Sequence, residues 1–169
     1  ESLKMYRNKV GDTGVKSLVN SEKLPNLTSL RLANNGIGPD GARCIAESVN
    51  LNNLTTLGLS ENKIGDEGLK FLAGSESLKE LKFLDLRSNN ITDEGVIQIT
   101  KKILGLNILN LTHCKLITDD SVVKIAENLT NLQDINLWCC DKITDKGVIK
   151  IAEKLIGLNK LNLYGSRLI

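Results

Sequence analysis

The 169-residue chain is 41% hydrophobic and 25% charged, with a formal net charge of +2 and no block of five like charges. That is enough apolar content for a substantial core and too little charge to argue for nucleic acid or a membrane surface; no run of eighteen apolar residues spans a bilayer, and no charged segment followed by an apolar one directs export. The four cysteines, Cys44, Cys114, Cys139 and Cys140, form neither a C-x-x-C zinc pair nor the flanking clusters of many secreted repeat proteins, so a reducing, cytoplasmic setting is the simpler expectation.

The chain opens inside a repeat. Leu3 and Met5 alternate with polar neighbours, Asn8 follows, and GDTG at residues 11–14 begins a helical stretch. The same order returns at Leu27 with LTSLRLANN, and again from Leu54, Leu81, Leu106, Leu132 and Leu158, at separations of 27, 27, 25, 26 and 26 residues. Each first half reads L-x-x-L-x-L-x-x-N/C, and alternation at period two predicts a short strand with one buried face. Each second half reads I-G/T-D-x-G followed by apolar residues at helical spacing, such as Val148, Ile151, Ala152 and Leu155, which predicts a helix with one buried stripe. Asp93, Asp119 and Asp145 stand just before those stripes, where each is expected to accept orphan N–H groups of the helix it precedes and to meet the positive end of its dipole. Pro39 suits the first turn of a helix. The last unit supplies a strand over residues 158–163 and stops where a helix would start. Either the natural protein or its assembly extends beyond one or both termini, or short partial units suffice.

Neither the strand face nor the helix stripe can be hidden within one unit, so the units must stack, strand beside strand and helix beside helix. The expectation is one elongated domain over residues 1–169 with no linker. Parallel strands sit about 4.8 Å apart and packed helices about 8 to 10 Å apart, so the stack must bend with its strands on the inner side. The ninth position of each unit forms a column, Asn8, Asn35, Asn62 and Asn89, then Cys114, Cys140 and Ser166. It is expected to turn inward and bond the backbone of the neighbouring loop. Cysteine fills that space but bonds poorly, so the last two full units should follow a different loop path, helped by an extra residue at Leu116 or Lys142. Gly14, Gly41, Gly68, Gly95 and Gly147 recur with the repeat itself. They are not a phosphate cradle, and no nucleotide motif follows any strand, so no cofactor is expected.

This pattern resembles the leucine-rich repeat family, and long units with a helix in each are similar to its ribonuclease-inhibitor-like subfamily. The segments NLTHCKLITDDSVVKIAENL and NLWCCDKITDKGVIKIAEKL resemble the cysteine-containing subtype found behind F-box motifs. The resemblance covers essentially the whole chain. It implies an α/β fold, a right-handed horseshoe solenoid with parallel strands on the concave face and helices on the convex face. It also implies a protein partner: the substrate of an F-box-type ubiquitin ligase, the target of a GTPase regulator or innate-immune sensor arm, or the host protein of a bacterial effector. The architecture serves all of these, so the repeat does not choose among them.

If positions four and six of each unit are buried, positions three, five, seven and eight face the concave solvent side. Of the five Phe, Tyr and Trp residues, Tyr6, Phe83, Trp138 and Tyr164 fall on these strand positions and only Phe71 on a helix. Binding surfaces are enriched in Trp, Tyr and Arg. The expected partner-binding set is Tyr6, Arg31, Phe83, Asp85, Arg87, His113, Asp134, Trp138 and Tyr164, with Trp138 and Tyr164 as neighbours at its centre and Thr112, His113 and Arg87 continuing the row. Phe83 and Tyr6 equally suit covering an open edge. His113 and Cys139 share position eight on adjacent strands, where a Cys-His dyad or part of a metal site is conceivable. A shallow sheet with no cleft-forming insertion, and no third partner beyond Asp134, argues against it. The expectation is a non-catalytic protein-interaction module without metal or cofactor, acting as a monomer or as part of a larger chain.

Overall fold

The computed structural model describes residues 1–166 and 168. Strands β1 (Ser2–Lys4), β2 (Ser29–Arg31), β3 (Thr56–Gly58), β4 (Phe83–Asp85), β5 (Ile108–Asn110), β6 (Asp134–Asn136) and β7 (Lys160–Asn162) alternate with helices α1 (Gly11–Val19), α2 (Pro39–Glu47), α3 (Gly65–Ala73), α4 (Asp93–Lys102), α5 (Asp119–Asn128) and α6 (Asp145–Lys154). The strands form one parallel sheet in chain order. Their register aligns Leu3, Leu30, Leu57, Leu84, Leu109, Ile135 and Leu161. With helices packed on one side of so narrow a ladder, the wider helix spacing bends the stack into an arc lined by strands.

The core is a single cluster of leucine, isoleucine, valine and alanine with Cys114 and Cys140, and no aromatic ring is buried in it. Leu30, Leu57, Leu84 and Ile135 are fully buried, whereas Leu161 on β7 is 38% exposed, having a strand on one side only. The helix stripe departs from expectation at Ala152. The corresponding Val19, Ala46, Ala73, Thr100 and Ala126 are buried, but Ala152 is exposed because this position is closed by a following helix, and none follows α6 among the described residues.

From Asn35 to Cys140 the column at position nine turns inward as expected, whereas at its ends Asn8 is exposed and donates to the Tyr6 carbonyl of its own repeat, and Ser166 Oγ meets no partner among the described residues. Asn62 Nδ2 donates to the carbonyls of Leu32, Leu59 and Ser60, and its Oδ1 accepts the N–H groups of Asn35 and Ile37 in the preceding repeat. Asn35 and Asn89 do the same with the carbonyls of Met5 and Leu59. The target never changes: it is the position-six carbonyl of the preceding repeat, where the strand ladder ends and a backbone acceptor is left over. The cysteines keep that single bond, Cys114 Sγ to Leu86 at 3.5 Å and Cys140 Sγ to Leu111 at 3.2 Å. Lacking an amide, they leave the loop to close on itself: Cys114 N–H bonds Leu111 and Cys140 N–H bonds Leu137. The different loop path of these repeats, and the added bridge between Thr118 and Lys142, follow from that loss.

The aspartates require a correction. Thr92, Thr118 and Thr144 are the N-caps, their hydroxyls accepting the N–H groups of Glu94, Asp120 and Lys146. Asp93, Asp119 and Asp145 are the first helical residues and not caps of their own helices. Asp93 instead serves the next repeat, accepting Thr118 N–H and hydroxyl at 2.8 Å each, Ser121 N–H at 3.2 Å, and the Ser121 hydroxyl. Asp119 likewise accepts Thr144 N–H, its hydroxyl and Gly147 N–H. A side chain at the first helical position lies beside the neighbouring helix's N-terminus, whose orphan donors and positive dipole end attract it. Three glycines of the column, Gly41, Gly95 and Gly147, follow from this, while Gly14 and Gly68 face the Val10 and Ile64 side chains instead. A Cβ at Gly41 would lie 2.5 Å from Asp12 Oδ1 and one at Gly147 2.6 Å from Asp119 Oδ1, so glycine leaves room for the preceding repeat's carboxylate. Burial alone would raise Asp93, but the hydrogen bonds from Ser121 and Thr118 outweigh it and hold the carboxyl below the usual carboxylate range.

Candidate functional site

Positions three, five, seven and eight lie on the strand face opposite the leucines, but they are not uniformly open. Ser60 and Thr112 at position seven and Gly58 at position five are buried, covered by neighbouring side chains, so the row expected to run Arg87–Thr112–Trp138 is interrupted. At position eight Arg7, Asn34, Glu61, Ser88, His113 and Cys139 all have φ between +54° and +58°. This left-handed step costs a non-glycine residue about 1 kcal/mol or more. It ends each strand and turns position nine into the core while leaving position eight at the rim.

The C-terminal part of the face carries an aromatic row. His113 and Trp138 have ring centroids 5.5 Å apart, and Trp138 meets Tyr164 edge-on at 6.0 Å. Trp138 is 39% exposed and Tyr164 76%. Their backbones are held from position five: Asn136 Oδ1 accepts Trp138 N–H at 3.1 Å and Asn162 Oδ1 accepts Tyr164 N–H at 3.0 Å. These N–H groups lie where the strand ladder stops, and a side chain two residues earlier satisfies them as in an Asx-turn. Asp85 and Asn110 do the same for Arg87 and Thr112.

The N-terminal part is ionic. The Arg31 guanidinium lies over the Phe83 ring, 4.7 Å from its centroid, passing across β3 at Gly58, where a Cβ would sit 3.3 Å from Arg31 Cγ. Arg87 donates to Glu61 at 2.9 Å, and Asn34 donates to the other Glu61 oxygen at 3.0 Å. Burial pushes the Asp85 carboxyl up from its ordinary value against the pull of the Arg87 N–H and charge, the Ser60 hydroxyl and Arg31. A shallow cavity of about 300 Å³ opens between Tyr6, Arg7, Asn34, Glu61, Asp85 and Arg87.

The nine expected residues therefore fall into two groups and an outlier. Tyr6, Arg31, Phe83, Asp85 and Arg87 gather over β1–β4, and His113, Trp138 and Tyr164 over β5–β7. Asp134 is apart from both, 4.0 Å from Lys160 Nζ and four residues along the strand from Trp138. Sequence reasoning missed Asn136 and Asn162, which hold the aromatics, and Glu61, which fixes Arg87. The Asn/Asp residues two places before position seven were a readable signal for the first pair. His113 stacks on Trp138, and among the described residues no group of three His, Cys, Asp or Glu side chains is placed to hold a metal ion. Burial pushes the Cys114 and Cys140 thiols up to about 12. Among the described residues, no helix is long and apolar enough to cross a membrane.

Residues 23–46, 50–73, 78–99, 106–126 and 128–152 match the family model described as Leucine Rich repeat, in phase with the strands and helices above. The chain belongs to the leucine-rich repeat family. No curated protein matches it. Among solved structures, an internalin from Listeria monocytogenes aligns with a TM-score of 0.63 at 27% identity, over 99% of this chain and 48% of that one. The chain thus spans about half the length of the internalin. Leiomodin-1 Actin-Binding Site 2 aligns with a TM-score of 0.65 at 18% identity, over 85% of this chain and 86% of that one, a likeness of fold.

Proposed function

We propose that this chain is a non-catalytic protein-interaction module that grips a protein partner on its strand face, anchored at Trp138 and Tyr164 with His113 beside them. The observation that carries this reading is the placement of the rings. The buried core contains none, while on consecutive strands His113 meets Trp138 and Trp138 meets Tyr164, with the backbones of the last two pinned by asparagines. Backbone already fixed beneath the rings has little freedom left to lose on binding, which helps a small surface reach useful affinity. With a partner captured from the parent cell, Trp138→Ala should weaken binding by about 2 kcal/mol or more with the melting temperature nearly unchanged. Unaltered affinity in titration calorimetry would remove the aromatic row from the interface.

A narrower reading is favoured by the two cysteine repeats, whose self-closed loops set them apart from the asparagine repeats. Together with the ribonuclease-inhibitor-like unit length, they support a substrate-recognition arm of an F-box-type ubiquitin ligase. An F-box segment encoded beside this chain in its gene supports that reading, and its absence there overturns it. Four free thiols support a reducing, cytoplasmic location. The unbroken core supports one domain that sediments as a single 18.5 kDa species, and a concentration-dependent dimer would contradict that.

A further inference from the structure

We propose that the segment gripped by this face carries a carboxylate that seats on Arg31 and, about 16 Å away, an aromatic or aliphatic side chain that seats against Trp138 and Tyr164. The proposal rests on the docking reading above and adds the partner's chemistry.

Charge across the strand face is uneven once committed groups are set aside. Over β1–β4 the acids are occupied: Glu61 by Arg87 and Asn34, and Asp85 by the Arg87 N–H. Lys4, Arg7 and Arg31 form no ion pair among the described residues, although Arg31 lies near enough to Asp85 to act on its carboxyl, and with Arg87 these cations outnumber Glu61 and Asp85, which leaves this half positive. Over β5–β7 the only charged strand residues, Asp134 and Lys160, face each other, and the rest of that half is aromatic and neutral. A complementary segment therefore brings negative charge to one half and an apolar side chain to the other.

Arg31 is the specific anchor. Its guanidinium is held on Phe83, and none of its N–H groups meets an acceptor among the described residues, the shielded Nε included. A planar fork already fixed on a ring, with its outer donors free, suits a carboxylate better than a mobile lysine does. The group lies over position three of β4, and Trp138 is at position seven of β6. Two strand spacings and four residues of strand make a diagonal of about 16 Å, the reach of about five residues of extended chain.

The test uses a phage-displayed library of random dodecapeptides, panned on the wild-type chain. The proposal expects enriched peptides that pair Asp or Glu with an aromatic or aliphatic residue about five positions away. It also expects the dissociation constant of a synthetic representative, read by fluorescence anisotropy, to rise about tenfold or more with either Arg31→Ala or Trp138→Ala. Arg31→Lys should recover part of the loss, and added salt should weaken binding to the wild type more than to Arg31→Ala. Thermal unfolding of each variant shows that the fold is kept. Peptides that need Trp138 but carry no acid and ignore Arg31 overturn this inference and leave the docking reading standing. Peptides indifferent to Trp138 overturn the docking reading, and no enrichment over an immobilised control protein overturns the inference.

Discussion

The asparagine repeats and the cysteine repeats build the same strand and helix, yet their loops are stitched to the neighbouring repeat differently. In the N-terminal half cross-repeat bonds stand at helix C-termini: Ser48 Oγ and Asn50 Nδ2 reach the Val19 carbonyl, and Ser75 Oγ reaches that of Ala46. Bonds at helix N-termini run through both halves: Asp12 reaches the Gly38 N–H, and Asp66, Asp93 and Asp119 reach the following threonine caps. The loop column changes along the chain, from asparagines that bridge two repeats to cysteines that make one weak bond to the preceding repeat and let the loop close locally. A solenoid needs each interface satisfied, and it is indifferent to which end supplies the bonds.

The largest effect expected from this contrast lies in the position-nine column. Asn62→Ala strips buried partners from the carbonyls of Leu32 and Leu59 and from the N–H groups of Asn35 and Ile37, and should cost about 4 kcal/mol in urea unfolding. Cys140→Ala removes one sulfur contact and should cost about 1 kcal/mol. Equal losses would mean that asparagine and cysteine play the same part after all.

The two kinds of stitch come next. Asp93→Ala should cost about 2 kcal/mol, because it leaves the start of α5 without its acceptor; Ser48→Ala, at a buried neutral bond, should cost about 1 kcal/mol. Asp40→Ala is the control, since Pro39 holds the first helical position of α2 and Asp40 makes only an exposed pair with Arg43; it should leave the unfolding midpoint in place. If Asp40→Ala matched Asp93→Ala, the cross-repeat role of the aspartates would fall.

A weaker effect should appear in acid. The folded value of Asp93 lies below its unfolded one, so the folded state holds the proton less tightly. The stabilisation is complete above the unfolded value of about 3.9 and disappears as the pH falls through the lower folded value. Asp93→Asn should therefore flatten the acid limb of a stability–pH curve, and an unchanged limb would show that its hydrogen bonds do not discriminate the charged form. Asp85 works the other way, its folded value being raised by burial: what it contributes is present below the unfolded value and lost as the pH rises through the folded one. Asparagine already holds the equivalent place at Asn110, Asn136 and Asn162 and keeps the same N–H bond. Asp85→Asn, the smallest change, should raise neutral-pH stability by about 0.5 kcal/mol while flattening that dependence. A loss at pH 7 would show that the charge is needed beside Arg87 and Arg31.

Much of the fold was legible because its signals are local. Leu30 with Leu32, or Leu84 with Leu86, declares a strand by alternation, and Val148 with Ile151 and Leu155 declares a helix by spacing. The inward asparagine column could be read from its recurrence at a fixed place after each strand. The aromatic row was legible in part, because strand alternation places Trp138 and Tyr164 on one face whatever lies beside them. Less legible was the assignment of Asp93 and Asp119. As N-terminal helical acids they read as caps, and only the closeness of the next helix turns their carboxylates outward. Thr112 and Ser60 defeated the alternation rule for a similar reason: they point to the open face, but short side chains there are covered by their neighbours.

The order of leucines and glycines was thus sufficient, by itself, to settle the period, the element types and the stacking, since each depends on residues no more than a turn or a strand apart. Which aspartate serves which helix, how Arg31 crosses Gly58 to lie on Phe83, and where the strand face divides into ionic and aromatic halves were decided only when the repeats came together. Those contacts join side chains about 25 to 50 residues apart, and their geometry depends on the few ångströms between neighbouring coils, a distance that no local pattern encodes.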